Sequence, residues 1–95
     1  MKRPDKVNSL HDGTQHLYFF KNGFGASVVS HRFSYGGDEG FWELAVIRHN
    51  DSGGYDLCYS TPITGDVVGY LTGEMVEEYL DRIERLNEDG TENEH

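Results

Sequence analysis

Residues 71–86, LTGEMVEEYLDRIERL, have the pattern of an amphipathic α-helix with a marked beginning. Thr72 is a good N-cap, Glu74 lies where the helix dipole favours negative charge, and Leu71 can pack against Val76 as a hydrophobic staple. The apolar residues recur with a period of about 3.6 and form one stripe: Val76, Tyr79, Leu80, Ile83 and Leu86. Because such a stripe has to be buried, the sequence predicts a C-terminal helix that closes a core.

Four short runs before this helix are rich in β-branched and aromatic residues, which favour strands. They are HLYFFK at 16–21, FGASVVSHRF at 24–33, GFWELAVIRH at 40–49 and YDLCYS at 55–60. Asn22–Gly23 between the first two runs predicts a type I′ hairpin turn, because both residue types tolerate positive φ. The runs are therefore expected to pair as neighbouring antiparallel strands.

The strand series is expected to end at Thr61–Pro62, since proline cannot donate to a strand ladder. The next segment, TGDVVGYL at 64–71, predicts a single helical turn that is broken at Gly69. Four strands followed by one long helix, with short connections, predict an α+β fold. The expected architecture is a four-stranded antiparallel β-meander packed against one C-terminal α-helix.

Composition divides the 95 residues into one folded part with polar ends. Residues 1–15 are mostly polar or charged and predict a flexible N-terminal lead-in. Residues 16–88 are expected to form a single α+β domain, since a chain of this length holds one core. Residues 89–95 contain no apolar side chain and predict a disordered acidic tail.

Acidic charge is concentrated at the C-terminal end of a chain whose formal net charge is −9. Residues 66–95 contain ten Asp or Glu against only Arg82 and Arg85. Direct nucleic-acid binding needs clustered Lys and Arg, so this distribution argues against it and favours a basic protein partner. No signal-peptide pattern and no run long enough to span a membrane occur, and the expected compartment is the cytoplasm.

The glycine-rich stretch SYGGDEGFW at 34–42 is expected to be first of all a turn between strands. It lacks the Lys or Arg of a phosphate-binding loop, and its two carboxylates fall well short of a calcium site. Its second interpretation is a protein-contact loop, in which the contacting residues would be Tyr35, Asp38, Glu39 and Trp42.

No other pattern indicates catalysis, a cofactor or a metal. The five histidines and Cys58 are scattered instead of paired at zinc-ligand spacing, and Cys58 has no nucleophile motif around it. A two-residue site made by His31 and His49, on adjacent predicted strands, stays open as an alternative. The sequence therefore predicts a protein that is not an enzyme, with no catalytic, cofactor-binding or metal-binding residues.

The predicted helix carries a row of acidic residues spaced three or four apart on its water-facing side. The members of this row are Glu74, Glu77, Glu78, Asp81, Glu84 and Glu88. Such a row attracts a basic protein surface and resembles the charge pattern of DNA. The alternative is that an acidic helix face serves only solubility.

Three segments together resemble a family of small bacteriophage proteins: NGFGASVVSH at 22–31, SYGGDEGFWELAV at 34–46 and YSTPITGDVVGYLTGEMVEEYLDRI at 59–83. That family has an N-G-[YF]-G-A-S-V strand, an S-Y-G-G strand entry ending in E-L-A-V, and a T-P-[IV]-T-x-D-V-x-G-[WY]-L-[TS] helix entry. The resemblance covers about residues 22–86; Gly65 and Gly73 depart from it where acidic residues are more usual.

The resemblance implies a phage or prophage origin and a bacterial host cytoplasm as the working place. It brings no catalytic residues. The expected function is that of a small acidic accessory protein that binds and modulates or inhibits a host protein, such as a defence nuclease or transcription or replication machinery. The alternatives are a small ligand- or metal-binding protein and a self-associating phage structural component.

Overall fold

A computed structural model describes residues 2–63 and 66–92 and shows an α+β architecture. Its elements follow the chain in the order β1 Lys6–Leu10, β2 Gly13–Phe19, β3 Phe24–Ser30, a 3-10 turn Gly37–Glu39, β4 Trp42–His49, β5 Tyr55–Leu57, β6 Val68–Leu71 and α1 Gly73–Glu84. The predicted combination of an antiparallel sheet and a C-terminal helix is confirmed. In the part of the chain described, no helix has the length and apolar character needed to cross a bilayer.

Six strands in the described residues form one antiparallel sheet that curls into a half-barrel. The first four pair in sequence order. The free edge of β4 is shared by two short strands: β5 pairs near its C-terminal end, through Ile47 and Leu57, and β6 near its N-terminal end, through Trp42 and Leu71. The predicted count of four strands is therefore wrong.

One additional strand, β1, lies inside residues 1–15, which the sequence predicted as a flexible lead-in. Its sequence KVNSL has no apolar face, and this composition concealed it. β1 pairs with β2 from Lys6–Leu17 to Leu10–Gly13. It forms because the edge of β2 satisfies its backbone N–H and C=O groups, which a polar segment alone could not achieve.

The other additional strand, β6, lies in the segment 64–71 for which one helical turn was predicted. Residues 64 and 65 lie outside the described part of the chain. Val68–Leu71 pairs with β4 across an irregularity between Trp42 and Leu44, which has the character of a β-bulge. Pairing with β4 thus overrides the local preference of this segment.

The helix closes the core as predicted. The Thr72 hydroxyl accepts a hydrogen bond from the Met75 amide at 3.2 Å, which makes Thr72 the N-cap. The buried helix residues Val76, Leu80 and Ile83 pack against alternate side chains of the sheet: Tyr18, Phe24, Ala26, Val28, Leu44 and Val46. Because burying one such side chain contributes about 1.5–3 kcal/mol, the sheet and the helix depend on each other.

The hairpin predicted at Asn22–Gly23 is present, but its turn is not type I′. Of the two residues, only Gly23 has positive φ, at 88°. The Gly23 amide donates to the Phe20 carbonyl at 3.2 Å, and the Phe20 amide donates to the Phe24 carbonyl at 2.8 Å. These bonds describe a three-residue loop with glycine in its left-handed position.

The chain turns back after the helix. The Asn87 amide donates to the Thr91 carbonyl at 2.8 Å, and Asp89 accepts from the Thr91 hydroxyl at 2.7 Å. The Thr91 hydroxyl and then its amide lower the pKa of Asp89. Residues 89–92, predicted as part of a disordered acidic tail, thus form a hydrogen-bonded turn; residues 93–95 lie outside the described part.

Candidate protein-contact surface

The glycine-rich loop after β3 is a compact turn, as the sequence predicted. Gly36 and Gly40 both have φ of 85° and bracket the 3-10 turn Gly37–Glu39. The Phe41 amide donates back to the Gly36 carbonyl at 2.9 Å, which closes the loop before β4 begins. Left-handed backbone at both ends is accessible to glycine without strain, and this explains the glycines without any ligand.

The start of the loop is fixed by a buried serine. The hydroxyl of Ser34 accepts from the His31 amide at 2.9 Å and donates to the His31 carbonyl at 2.8 Å. The Gly37 amide donates to the Ser34 carbonyl at 3.1 Å. A Cβ at Gly37 would collide with the His31 carbonyl and the Ser34 hydroxyl. The backbone of this loop is therefore tightly determined.

Strand β6 joins this loop through Tyr70. The Tyr70 amide donates to the Tyr35 carbonyl at 3.2 Å, and the Tyr35 amide donates to a carboxylate oxygen of Glu43 at 3.1 Å. Tyr70 has φ of 56°, a left-handed conformation that is rare for a bulky residue. Its ring lies 6.2 Å from that of Phe41. The pairing brings two tyrosines together that are far apart in the sequence.

Both tyrosine side chains face solvent beside two carboxylates. Tyr35 is 61% exposed and Tyr70 57% exposed, and Asp38 and Glu39 are exposed as well. With Ser34 and Gly36 they line an open cleft of about 170 Å³. We name the surface formed by Tyr35, Asp38, Glu39 and Tyr70 the tyrosine patch. Three of its members are among the predicted contact residues.

Trp42, the remaining predicted contact residue of this stretch, lies elsewhere. It is half-buried on the face of the sheet that packs against the helix. Its ring centroid is 5.1 Å from that of His16. Burial lowers the pKa of His16. Trp42 therefore lies at the edge of the hydrophobic core and is not part of the tyrosine patch.

Another exposed aromatic side chain lies nearby, next to two histidines. Phe33 is 67% exposed and lies edge-on to His11, with ring centroids 4.9 Å apart. His11 in turn lies 5.0 Å from His31. The guanidinium of Arg32 covers the Phe33 ring at 4.9 Å and contacts Asp12 at 3.5 Å. Arg32 is thus engaged by Phe33 and Asp12.

The predicted acidic row on the helix is partly neutralised. The ammonium of Lys2 contacts Asp81 at 3.0 Å and Glu84 at 3.3 Å. Hydrogen bonds to Asp81 and then Glu84 raise the pKa of Lys2. Two of the six carboxylates in the predicted helix row are therefore engaged by the N-terminal segment, although both remain partly exposed.

The other four acidic residues do not form a single continuous row. Glu74 and Glu78 are exposed on α1, and Glu77 is half-buried. The helix ends at Glu84, so Glu88 lies in the turn that follows it. The uniform acidic face expected from the sequence is thus reduced to its first half, around Glu74 and Glu78.

Metal-binding and nucleophilic groups are not brought together. No group of three or more His, Cys, Asp or Glu within residues 2–63 and 66–92 is placed to hold a metal ion. His31 directly follows β3 and His49 is the last residue of β4, and the antiparallel pairing of these strands puts the two histidines at opposite ends of the pair. The His49 amide donates to the Gly23 carbonyl, whereas His31 lies beside His11. Cys58 is half-buried next to β5.

Sequence reasoning missed Tyr70 as a surface residue. It was placed in a predicted helical turn, and its contact with Tyr35 depends on strand pairing between distant segments. The available signal was the pair of β-prone residues around Gly69, since a glycine inside a strand often marks close approach of another chain segment. A Cβ at Gly69 would indeed collide with the Tyr35 side chain.

No protein-family model, curated protein or solved structure matches this chain.

Proposed function

We propose that this protein is a non-enzymatic binding module that recognises a partner protein with a basic surface through the tyrosine patch. The observation that carries this proposal is the exposure of Tyr35 and Tyr70 on fixed backbone next to Asp38 and Glu39. Tyrosine is favoured at the centres of protein interfaces, because it presents a large contact area at low entropic cost.

The fixed backbone supports a binding role for the patch. The Tyr70 amide donates to the Tyr35 carbonyl, and the Tyr70 backbone is left-handed. Gly36 and Gly40 bracket the turn between the strands. Strained backbone in a bulky residue persists only where the surroundings determine it, and such positions cluster at functional sites. A surface ordered before binding loses less entropy on association.

The acidic character of the chain supports a basic partner. The formal net charge of −9 steers positively charged surfaces toward the protein and speeds their encounter. The exposed helix residues Glu74 and Glu78 contribute to this field, while Lys2 offsets Asp81 and Glu84. We assign the helix a steering role and the tyrosine patch the direct contact.

The biological setting rests on the resemblance to small bacteriophage proteins. On that basis the partner is a bacterial host protein, such as a defence nuclease or part of the transcription or replication machinery, and the working place is the host cytoplasm. Binding would modulate or block the partner. Imitation of nucleic-acid charge is one form that such blocking takes, because proteins that bind DNA carry the required basic surface.

The proposal is tested by capture of partners from a bacterial host lysate with the whole chain as bait. Two patch variants, Tyr35→Leu and Tyr70→Asn, are compared with Tyr59→Leu, which removes an exposed tyrosine outside the patch. Asn is chosen at position 70 because it tolerates left-handed backbone. We expect each patch variant to weaken binding of the captured partner at least about ten-fold, and Tyr59→Leu to leave it unchanged.

A charge variant separates the two surfaces. Glu74→Lys combined with Glu78→Lys should slow association and reduce its salt dependence without abolishing the complex. Loss of the partner with this double variant, together with full retention by both patch variants, would overturn the assignment of the contact to the tyrosine patch.

Self-association is the second candidate, and one observation favours it. Strand β5 is a sheet edge that exposes Tyr55 and Leu57, with 38% and 52% of their surface accessible. Apolar residues on an unpaired edge can pair with a second copy. Light scattering across a dilution series distinguishes the candidates: a dimer that Leu57→Lys dissociates would favour a self-associating component over the binding module.

A further inference from the structure

We infer that the cleft of the tyrosine patch is a binding site for the guanidinium group of an arginine side chain presented by a basic polypeptide. This inference rests on the proposed function and specifies the chemistry that the patch recognises. It follows from the composition of the cleft, its size and its charge.

The composition of the cleft matches a planar cation. The cleft is lined by two exposed tyrosines, Tyr35 and Tyr70, by the exposed acidic residues Asp38 and Glu39, and by Ser34 and Gly36. Aromatic faces attract cations through the ring quadrupole, and guanidinium groups also stack on them. Carboxylates add charge-assisted hydrogen bonds to the same group. The cleft therefore offers the groups that bind arginine.

The small size of the cleft favours a small group. Its volume of about 170 Å³ lies below the roughly 300–1,000 Å³ of pockets that hold drug-sized molecules. It is also open to solvent on one side, so a side chain can enter from an apposed protein surface. A single residue of a partner fits these dimensions better than a free cofactor.

The charge of the cleft is not satisfied within the described molecule. Among residues 2–63 and 66–92, no Lys or Arg contacts Asp38 or Glu39 within ion-pair distance. The nearest arginine in sequence, Arg32, lies over Phe33 and contacts Asp12 instead. An incoming cation would thus meet two exposed carboxylates without displacing an internal partner.

Arginine is favoured over lysine for a geometric reason. The guanidinium is planar, less strongly hydrated and able to donate two parallel hydrogen bonds to a carboxylate while its face contacts an aromatic ring. The lysine ammonium is a compact, strongly hydrated point charge that gains less from stacking. Two rings and two carboxylates together therefore discriminate between the two cations.

The experiment uses the whole chain and a matched set of short peptides at low ionic strength. One peptide presents Gly-Arg-Gly, the second presents citrulline in place of arginine, and the third presents lysine. Amide NMR spectra are recorded during titration with each peptide. We expect the arginine peptide to shift the amide signals of Gly36, Gly40 and Tyr70 in a saturable way and to bind at least about three-fold more tightly than the lysine peptide. The neutral citrulline peptide should produce no saturable shift.

Variants test which groups are responsible. Tyr35→Leu and Tyr70→Asn should each weaken arginine binding about two- to five-fold, the effect of losing one exposed cation–π contact. Asp38→Asn combined with Glu39→Gln should weaken it at least as much. The controls Tyr59→Leu and Asp51→Asn change the same residue types at exposed positions outside the cleft and should leave the affinity unchanged.

Several results would overturn the inference. Equal binding of the arginine and citrulline peptides would exclude recognition of a cation, and equal binding of arginine and lysine would exclude the planar site. Shifts confined to α1 would move the site to the helix. If lysate capture depends on the patch while the arginine peptide gives no shift, the inference fails and the proposed function stands. If the arginine peptide binds as expected but the patch variants capture the same partner as the wild type, the proposed function fails instead.

Discussion

At the scale of single residues, Asn22 links the β2–β3 hairpin to the end of the helix. Its side-chain amide donates to the carbonyls of Ile83 and Leu86, each at 2.9 Å, and its side-chain oxygen accepts from the Phe24 amide at 3.0 Å. The last carbonyls of a helix lack partners within the helix, and here a distant asparagine supplies them. The residue that the sequence marked as a turn former is also a helix cap.

Replacement of Asn22 should therefore cost more than loss of a turn residue. Asn22→Ala removes the side-chain donor to the Ile83, Glu84 and Leu86 carbonyls and is expected to lower the free energy of unfolding by about 1–3 kcal/mol. The matched control is Asn8→Ala, which removes a single side-chain bond to Gln15 at a sheet edge and should cost less than about 1 kcal/mol. Urea unfolding of both variants measures the difference. Equal losses would contradict the capping role.

His16 is a residue whose burial predicts a dependence of stability on pH. Burial lowers its pKa below the usual 6.5, and its Nδ1 is buried without a hydrogen-bond partner. The unfolded chain therefore binds a proton more readily than the folded protein as pH falls through 6.5. The stability that neutral His16 contributes is fully present above pH 6.5. It is lost as the pH falls from 6.5 through the lower pKa that His16 has in the folded state.

The His16→Leu variant isolates this contribution. In the wild type, the free energy of unfolding should fall as pH is lowered from about 7 to 5, and the variant should show a shallower slope over the same range. Urea unfolding at several pH values provides the measurement. Identical slopes would show that His16 does not contribute to the dependence.

At the scale of elements, the β1–β2 hairpin stores backbone strain in its turn. His11 and Asp12 have φ of 49° and 61°, and Leu10 pairs with Gly13 on either side. Positive φ at both central positions is the type I′ geometry that the sequence predicted for the next hairpin. Asn-Gly suits that geometry better than His-Asp, because glycine adopts positive φ without steric cost.

Two substitutions at Asp12 should act in opposite directions. Asp12→Gly removes the left-handed penalty and is expected to raise the free energy of unfolding by about 0.5–1 kcal/mol, while Asp12→Ala should lower it. Both lose the same exposed contact to Arg32 at 3.5 Å, which is worth little. Thermal and urea unfolding of the pair therefore compare backbone geometry alone. A shift of the same sign in both variants would contradict this account.

Elements with strong local signals were predictable, and elements made by pairing were not. The helix stripe Val76, Leu80 and Ile83 and the central strands β3 and β4 follow from periodicity and composition, because each carries its own apolar face. Strands β1 and β6 have no such face and form on edges provided by β2 and β4. The residue pattern within β1 or β6 does not show that another strand will offer an edge for it to pair with.

The candidate site divides in the same way. Tyr35, Asp38 and Glu39 belong to one turn, so the sequence could place them together. Tyr70 joins them only through the irregular pairing of β6 with β4, and Trp42 turns toward the core because it follows the alternation of its strand. Three of the four patch residues are thus local in origin, and the fourth, Tyr70, is brought to the patch by tertiary structure.

At the scale of the whole molecule, stability depends on the contact between one helix and one face of a curled sheet. A domain of this size has a total free energy of unfolding of roughly 5–14 kcal/mol. Leu80 is fully buried at the centre of that contact. Leu80→Ala is expected to cost about 2–5 kcal/mol, through lost burial and a residual cavity. That loss is a large fraction of the total.

The prediction extends to cooperativity, because the buried cluster around Leu80 contains side chains from both the helix and the sheet. Leu80→Ala should lower the melting temperature by about 4–8 °C per kcal/mol, with loss of helix and sheet signals in a single transition. Met75→Ala is the control, since Met75 lies on the same helix but is 46% exposed and should have a small effect. If the sheet melted separately from the helix, each layer would be stable alone, and the mutual dependence inferred from the shared core would be wrong.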